Sequence, residues 1–445
     1  MATLTADAIP SAEGVPTTQR ATPSSDRHEA LDFVRGAALF GILLMNITGM
    51  GLPHAYVSPH VSGGAEGVNL WTWIITAIGF EGTQRALFSI LFGAGVILLT
   101  SRLDAAGRTD TADIYLRRNL WLVGFGMINA WILLWGGDIL FYYGILGLFL
   151  FAFRKLPPRK LMILGLVSLA IMVAWNGKDA YRALEAHGAY QNAVEARQSG
   201  ARLSEAQTGA IQGWEQRVRE YHPTAAEIRK EVEQRTGSYG RAFMMQAESN
   251  VRGQPMGLYR YFFDMFGMML IGMALFKWGV LTLQRPSRLY RAMVAGGYGI
   301  GLVVNIAEAR WMMSHQFSLL SYLETEATYD VGRLAMTIGH LGALLLFVRS
   351  GVAARLRHAL ASVGRMAFTN YLMHSAIALV LFVGFGLYGQ LERHQLYYVV
   401  FAIWAFQLVA SPLWLSRYRF GPLEWLWRRL TYLERPQFRR AVAAA

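Results

Sequence analysis

Leu31-Asp-Phe-Val-Arg-Gly-Ala-Ala-Leu-Phe-Gly-Ile-Leu-Leu-Met-Asn46 sets an acid and an arginine, Asp32 and Arg35, at the mouth of a long apolar run and an amide, Asn46, inside it. An arginine near a membrane boundary can snorkel to water, whereas polar groups deeper in lipid cost several kcal/mol unless they find partners. Such a segment is either tied to neighbouring helices through these residues or uses them on a substrate. The simplest reading of Asp32 and Arg35 is an i,i+3 pair that orients the helix.

Composition widens the argument to the whole chain. Apolar residues make up 54% of 445, charged residues only 16%, and aromatics 13%. A soluble globular domain is not built this way. Apolar runs long enough to cross about 30 Å of hydrocarbon recur throughout, so the fold class is all-α, a polytopic transmembrane helical bundle. We expect ten spans, at 33–52, 85–101, 118–135, 138–153, 160–175, 259–281, 291–309, 331–349, 365–388 and 394–415. Residues 1–30 are polar and rich in Ala, Ser, Thr and Pro, without the apolar core and cleavage site of a signal peptide. They read as a disordered cytoplasmic tail. With no cysteine, disulfides, thiolate catalysis and Cys-based metal sites are excluded.

Charge sets the orientation. Arg102, Arg117 and Arg118, then Arg154 and Lys155, Arg285 and Arg288, Arg355 and Arg357, and Arg417 and Arg419 fall on alternate connections, while Pro53 to Gln84 carries no Lys or Arg. This is positive-inside patterning, and it puts both termini in the cytoplasm of a bacterial inner membrane. The net charge of +13 is therefore topology and lipid contact, and no nucleic-acid partner is implied. Two outer segments stand apart. Trp71, Trp73 and Phe80 suggest a short interfacial or re-entrant helix over 69–80. Residues 176–255 are polar and rich in helix formers, with Thr224-Ala-Ala-Glu227 fitting a capping box that Gly237 closes. The expected organisation is a tail at 1–30, an N-terminal bundle at 31–175, a small extracytoplasmic helical cap at 176–255, a C-terminal bundle at 256–432 and a cytoplasmic tail at 433–445. Gly297 and Gly301 form a small-xxx-small pair suited to helix packing.

Candidate chemistry lies at the outer turns and inside the spans. His54 and His60 sit on the first outer loop, where histidine suits proton transfer near neutral pH. Asp138 follows two glycines at a tight outer turn and reads either as a helix N-cap or as a base. Glu81 and Arg85 are spaced to pair at i,i+4. Asn129, Asp264, Asn305, Glu308, His340, Asn370 and His374 fall within spans and imply a polar interior. His340 and His374 give a metal site little support, and none is expected.

Several blocks together resemble the bacterial YeiB-like inner-membrane family. They are Leu31–Gly36 with Asn46, Phe88-Ser-Ile-Leu-Phe-Gly-Ala-Gly95, Gly137-Asp-Ile-Leu140 with Tyr143-Gly144, Gly364-Arg-Met-Ala-Phe-Thr-Asn-Tyr371, and Gly421-Pro-Leu-Glu-Trp-Leu-Trp-Arg-Arg-Leu-Thr431. The N-terminal half is also similar to heparan-α-glucosaminide N-acetyltransferase and, more loosely, to membrane acyltransferases that modify extracytoplasmic glycans. Asp32, Arg35 and Asn46 match that enzyme's spacing. Val57 stands where it has its outer-loop histidine, with His54 and His60 nearby. The resemblance implies an acyl-CoA donor from the cytoplasm and a glycan or small-molecule acceptor outside. Asp32, Arg35, Arg117, Arg118 and Arg365 would hold the donor. Asn46 would face the thioester carbonyl, and Asp138 or His54 would take the acceptor's proton. Membrane lipids are further partners, and a homodimer is compatible with the sequence. A transporter or channel for a small anionic metabolite would use the same buried polar groups, yet no inverted repeat or matched pair of broken helices accompanies them.

Overall fold

The chain as seen in a computed structural model is described over residues 24–440; residues 1–23 of the tail expected at 1–30, and the last residues, 441–445, lie outside the described residues. The first helix, α1 (Ser24–Gly51), takes in the last seven residues of that expected tail. The Ser-Ser-Asp start followed by His-Glu-Ala-Leu is a helix-opening sequence in its own right. A loop with a single 3₁₀ turn leads to α2 (Gly67–Gly79), the short Trp-bearing helix foreseen at 69–80, and α3 (Thr83–Ala105). Between them Gly82 takes a φ of 66°, a left-handed turn that suits glycine. That turn interrupts the helical spacing on which a Glu81–Arg85 pair depends, and Arg85 pairs with Asp264 on another helix instead, at 3.2 Å.

Next come α4 (Thr111–Met127), extended by a π-helical turn at Ile128–Ile132, and α5 (Leu140–Leu150). The long α6 (Pro158–Gln198) and α9 (Tyr239–Lys277) flank α7 (Glu205–Tyr221) and α8 (Ala225–Thr236). At 1.5 Å per residue, α6 and α9 each run about 60 Å, twice a hydrocarbon core. The boundaries expected at 175/176 and 255/256 therefore fall inside continuous helices. Thr224 and Glu227 form the expected capping box on α8, and Ser204 with Gln207 forms a second one on α7. Gly237 ends α8 with a φ of −69°, in right-handed rather than left-handed conformation.

The remaining helices are α10 (Ser287–Ser314), α11 (Leu319–Ser350), α12 (Ala354–Arg365), α13 (Ala367–Ala378), α14 (Arg393–Arg417) and α15 (Pro422–Tyr432), with a second π-helical turn at Leu379–Gly384 after α13. The protein is an all-α, multi-spanning membrane bundle. Among the described residues eight helical stretches are long and apolar enough to cross a membrane, and each overlaps one of the ten expected spans. The other two expectations, 118–135 and 138–153, correspond to α4 with its π turn and to the shorter apolar α5.

Packing explains two glycine pairs. Gly297 of α10 lies against Gly339 of α11, and Gly301 against Met336, so the small-xxx-small pair brings two helices together as expected. Gly36 of α1 meets the Leu360 carbonyl while Gly364 meets that of Asp32, which presses α12 onto the mouth of α1. The final segment folds back: Tyr418 and Arg439 form an antiparallel bridge, and Phe438 packs among Tyr418 and Trp425.

Candidate functional site

The polar residues gather in three places: one at the α15 end of the bundle, one at the α7–α8 end, and one between them.

At the α15 end, Arg35 Nη1 donates to Asp32 Oδ1 at 2.7 Å, both side chains partly exposed. The simplest expectation for this pair holds. Arg118 lies over the Trp427 ring, 3.5 Å from its centre, while the indole N–H donates to the Arg118 carbonyl at 2.9 Å. Arg118 also lies within electrostatic reach of Arg428 and Arg35. Arg117 donates to the Thr431 carbonyl at 2.9 Å, and Arg365 to Ser362 Oγ at 3.0 Å. Arg428, which the sequence did not single out, thus joins the group. The one nearby acid on α15 is occupied elsewhere: Glu424 accepts from the backbone N–H groups of Phe368 and Thr369, at 2.8 and 3.0 Å, and caps α13. The blocks 364–371 and 421–431 are therefore in contact, and a structural cap accounts for Glu424.

At the α7–α8 end, His54 Nε2 faces Glu231 Oε2 of α8 at 2.9 Å. The other oxygen of Glu231 accepts from the Tyr388 hydroxyl at 2.5 Å. Burial and the Glu231 carboxylate both push the Tyr388 phenol up, so it stays protonated and donating. Arg235, one helical turn on, lies over the Tyr388 ring and donates to the Leu134 carbonyl and to Gln246. Two distant segments, α8 and the turn bearing Tyr388, thus converge on His54, whose φ of 46° is unusual for a residue with a side chain. Glu231, Tyr388 and Arg235 were not foreseen. Each is one polar side chain among several in its own segment, and only the tertiary fold brings them to the first loop. His60 is exposed and edge-on to Phe317, and Val57 belongs to a small apolar cluster with Trp214 and Leu319.

Asp138 lies nearby but is enclosed, 2% exposed. Its Oδ1 accepts from Asn129 Nδ2 at 2.7 Å and its Oδ2 from the Phe141 backbone N–H at 2.8 Å, with the Tyr371 hydroxyl at 3.5 Å. The carboxylate caps the first turn of α5 from just before its N-cap residue, Ile139, and is tied through Asn129 to the π turn after α4. Asn46 is half-buried on α1 between the two ends.

The third group was only partly legible. Asp264 of α9 accepts from Arg333 at 2.7 Å and from Arg85 at 3.2 Å. Arg333 also donates to Asp330 at 2.7 Å, and Asp330 accepts from Asn176 at 2.8 Å. Asp264 and Arg333 are each 2% exposed. Four helices are joined by this line of charges, α3, α6, α9 and α11. The other deep polar residues mostly make helix-to-helix hydrogen bonds: Asn305 to the Ile78 carbonyl, Asn370 to Ser411, His374 to Gln407, and His340 to Tyr298 and the Gly79 carbonyl. His340 and His374 do not meet, and among the described residues no cluster of His, Asp and Glu is fit to hold a metal ion.

Comparison with known proteins places this architecture. YeiB of Escherichia coli (strain K12) is 30% identical over 91% of this chain and 96% of its own length. The chain belongs to the YeiB/DUF418 family. YxaH of Bacillus subtilis (strain 168) is 29% identical over 93% of this chain and 96% of its own. A protein from the amylase 3′ region of Bacillus acidopullulyticus is 26% identical over 92% and 94%. The family model described as "Protein of unknown function (DUF418)" matches residues 275–434. That region contains Arg333, Tyr388, Glu424, Trp427 and Arg428, whereas Arg35, His54, Glu231 and Asp264 lie in the part that only the full-length YeiB/DUF418 relatives span. No solved structure matches the chain significantly.

Proposed function

We propose that this protein is an inner-membrane acyltransferase with ten spans and cytoplasmic termini, moving an acyl group from acyl-CoA to an extracytoplasmic glycan or small-molecule acceptor. The observation that carries the reading is the His54–Glu231 pair. With Nε2–H donating to the carboxylate, Nδ1 is left as the basic nitrogen, and the glutamate stabilises the imidazolium that forms when the ring takes a proton. A left-handed backbone at His54 is the kind of local strain that gathers at working sites.

The donor end fits a phosphate-bearing compound. Arg118 lies within electrostatic reach of both Arg35 and Arg428, and guanidinium groups grip phosphates through several hydrogen bonds. Arg117 and Arg365 stand at the same end, with Asp32 holding Arg35 in place. Arg35 and Asn46 are separated by about 16 Å of helix rise along α1, so a donor anchored at the arginines would extend along α1 toward Asn46. There the amide N–H groups would meet the thioester oxygen as it gains charge. His54 takes the proton of the acceptor's hydroxyl or amine, the acceptor's oxygen or nitrogen bonds to the acyl carbon, the C–S bond breaks, and coenzyme A leaves as its thiolate to be protonated by the imidazolium or water. Asp138 supports the outer turn as a cap, and its two engaged oxygens make it a positioning residue rather than the base.

The test is a thioester-cleavage assay on purified protein together with calorimetry. His54→Ala should abolish turnover and leave acyl-CoA affinity within about twofold of wild type, as a group acting only in the chemical step does. Arg35→Ala should weaken acyl-CoA binding. A folded wild type that binds no acyl-CoA overturns the reading. Retained turnover in His54→Ala with loss in Asp138→Asn transfers the base to the aspartate.

A further inference from the structure

Between α6, α7, α9 and α11 lies a cavity of about 410 Å³, within the range of small-molecule sites. It shares no lining residue with the His54 pair. Arg182, Arg217 and Arg260 stand on its walls with Asp179 and Glu326, and Asn176 closes one side. Arg260 is paired with Asp179 at 2.8 Å. Arg182 and Arg217 have no ion-pair partner among the described residues, so the walls carry uncompensated positive charge.

Asn176 supplies the second, independent observation. It is 6% exposed, and its Nδ2 donates to Asp330, which Arg333 holds from the other side. A carboxylate partner fixes which way the amide faces, because the flipped group would set oxygen against oxygen. Its Oδ1 is therefore left without a hydrogen-bond partner at the cavity, a buried acceptor that calls for a donor. Trp175 and Tyr259, packed edge to face 4.7 Å apart, stand beside this level of α6 and α9, and such aromatics favour the headgroup zone.

We propose that this cavity binds a phosphate group with a hydroxyl or amine close to it, as in a glycerophosphate or a phosphoethanolamine. The unpaired arginines take the phosphate, with bidentate geometry that lysine does not reproduce. The neighbouring hydroxyl or amine donates to Asn176 Oδ1, and the acids on the wall disfavour a ligand that is anionic throughout. The same chemistry is offered by a lipid headgroup and by a free water-soluble phosphate. The site does not depend on the transferase reading, because occupancy is measured without turnover.

The experiment compares wild type with Arg182→Ala/Arg217→Ala and Arg182→Lys/Arg217→Lys, full-length in detergent. Both arginines are exposed, so folding should be unchanged and is checked by circular dichroism. Calorimetry with sn-glycerol 3-phosphate and O-phosphoethanolamine reads the free ligand. Native mass spectrometry of protein released from nanodiscs of phosphatidylglycerol and phosphatidylethanolamine reads the lipid. The alanine pair should lose at least about tenfold in affinity or retained lipid, with the lysine pair in between. Binding of the soluble compounds assigns a free phosphate. Lipid retention that is lost in the alanine pair, without soluble binding, assigns a headgroup. Equal binding by wild type and the alanine pair, or binding of sulfate as tight as glycerol 3-phosphate, overturns the proposal.

Discussion

Asp264 shows how a single buried carboxylate carries more than its own helix. It holds Arg85 and Arg333, each of which keeps buried nitrogens without a partner, Nε of Arg85 and Nε and Nη1 of Arg333. Replacing it by asparagine keeps the shape but removes the charge on which two guanidinium groups depend. Breaking a buried ion pair from one side typically costs about 3–5 kcal/mol, so Asp264→Asn should unfold well below wild type in a thermal melt in detergent. An equal melting temperature would mean that water compensates the arginines. The sequence singled out Asp264 because an acid in an apolar run is conspicuous. Arg333 and Asp330 passed unnoticed because the first turns of α11 are polar and blur where the apolar part of that helix begins. The same holds for Glu231, one carboxylate among many on an exposed helix until His54 is set against it. Glu231→Gln should lower turnover on the order of 10²-fold while leaving acyl-CoA affinity unchanged, measured in the same thioester assay. Loss of affinity without loss of turnover would separate Glu231 from the chemistry.

Elements with local signals were legible. The α8 capping box was readable because Thr224 and Glu227 are three residues apart, and both reciprocal hydrogen bonds form. Those bonds from Thr224 hold the Glu227 carboxyl below the usual glutamate range. A carboxyl lowered on folding contributes stability that is present above its unfolded value and lost as pH falls through the lowered folded one. Protection of the α8 amides, taken relative to the unstructured exchange rate at each pH, should accordingly fall below the ordinary glutamate range. Thr224→Ala should quicken their exchange at neutral pH by roughly fivefold, as loss of an N-cap does. If α8 exchanges no faster in Thr224→Ala, its position is set by Glu231 and Arg235 and not by the cap. What periodicity did not reveal are the π-helical turns at 128–132 and 379–384. Their apolar sequences read as ordinary helix, and only the fold brings the two regions together: Leu134, just after the first turn, and Val383, in the second, share a small cluster with Ala242 of α9. Such turns are frequent where helices are shaped around a site.

At the scale of the whole molecule, orientation rests on charge while architecture rests on hydropathy, and the two can be tested separately. Eight stretches satisfy length and apolarity outright, and in the ten-span arrangement we propose α4 with its π turn and α5 add two more, which keeps the number of crossings even. An even number returns the chain to the side on which it began. If the basic connections stay in the cytoplasm, α7 and α8 lie outside, together with His54 and the phosphate cavity, and the Arg35–Arg118–Arg428 group faces the coenzyme pool. The absence of cysteine makes this directly measurable. Gln212 is exposed on α7 and Gln284 is exposed on the turn between α9 and α10. In intact cells Gln212→Cys should react with a membrane-impermeant maleimide, and Gln284→Cys only after permeabilisation. Reaction at both sites in intact cells would mean an even number of crossings between them, and would deny α9, the candidate span between the two sites, its crossing. The reverse pattern would invert the protein, set His54 against the cytoplasm, and remove the physical basis for a donor and an acceptor that meet from opposite sides.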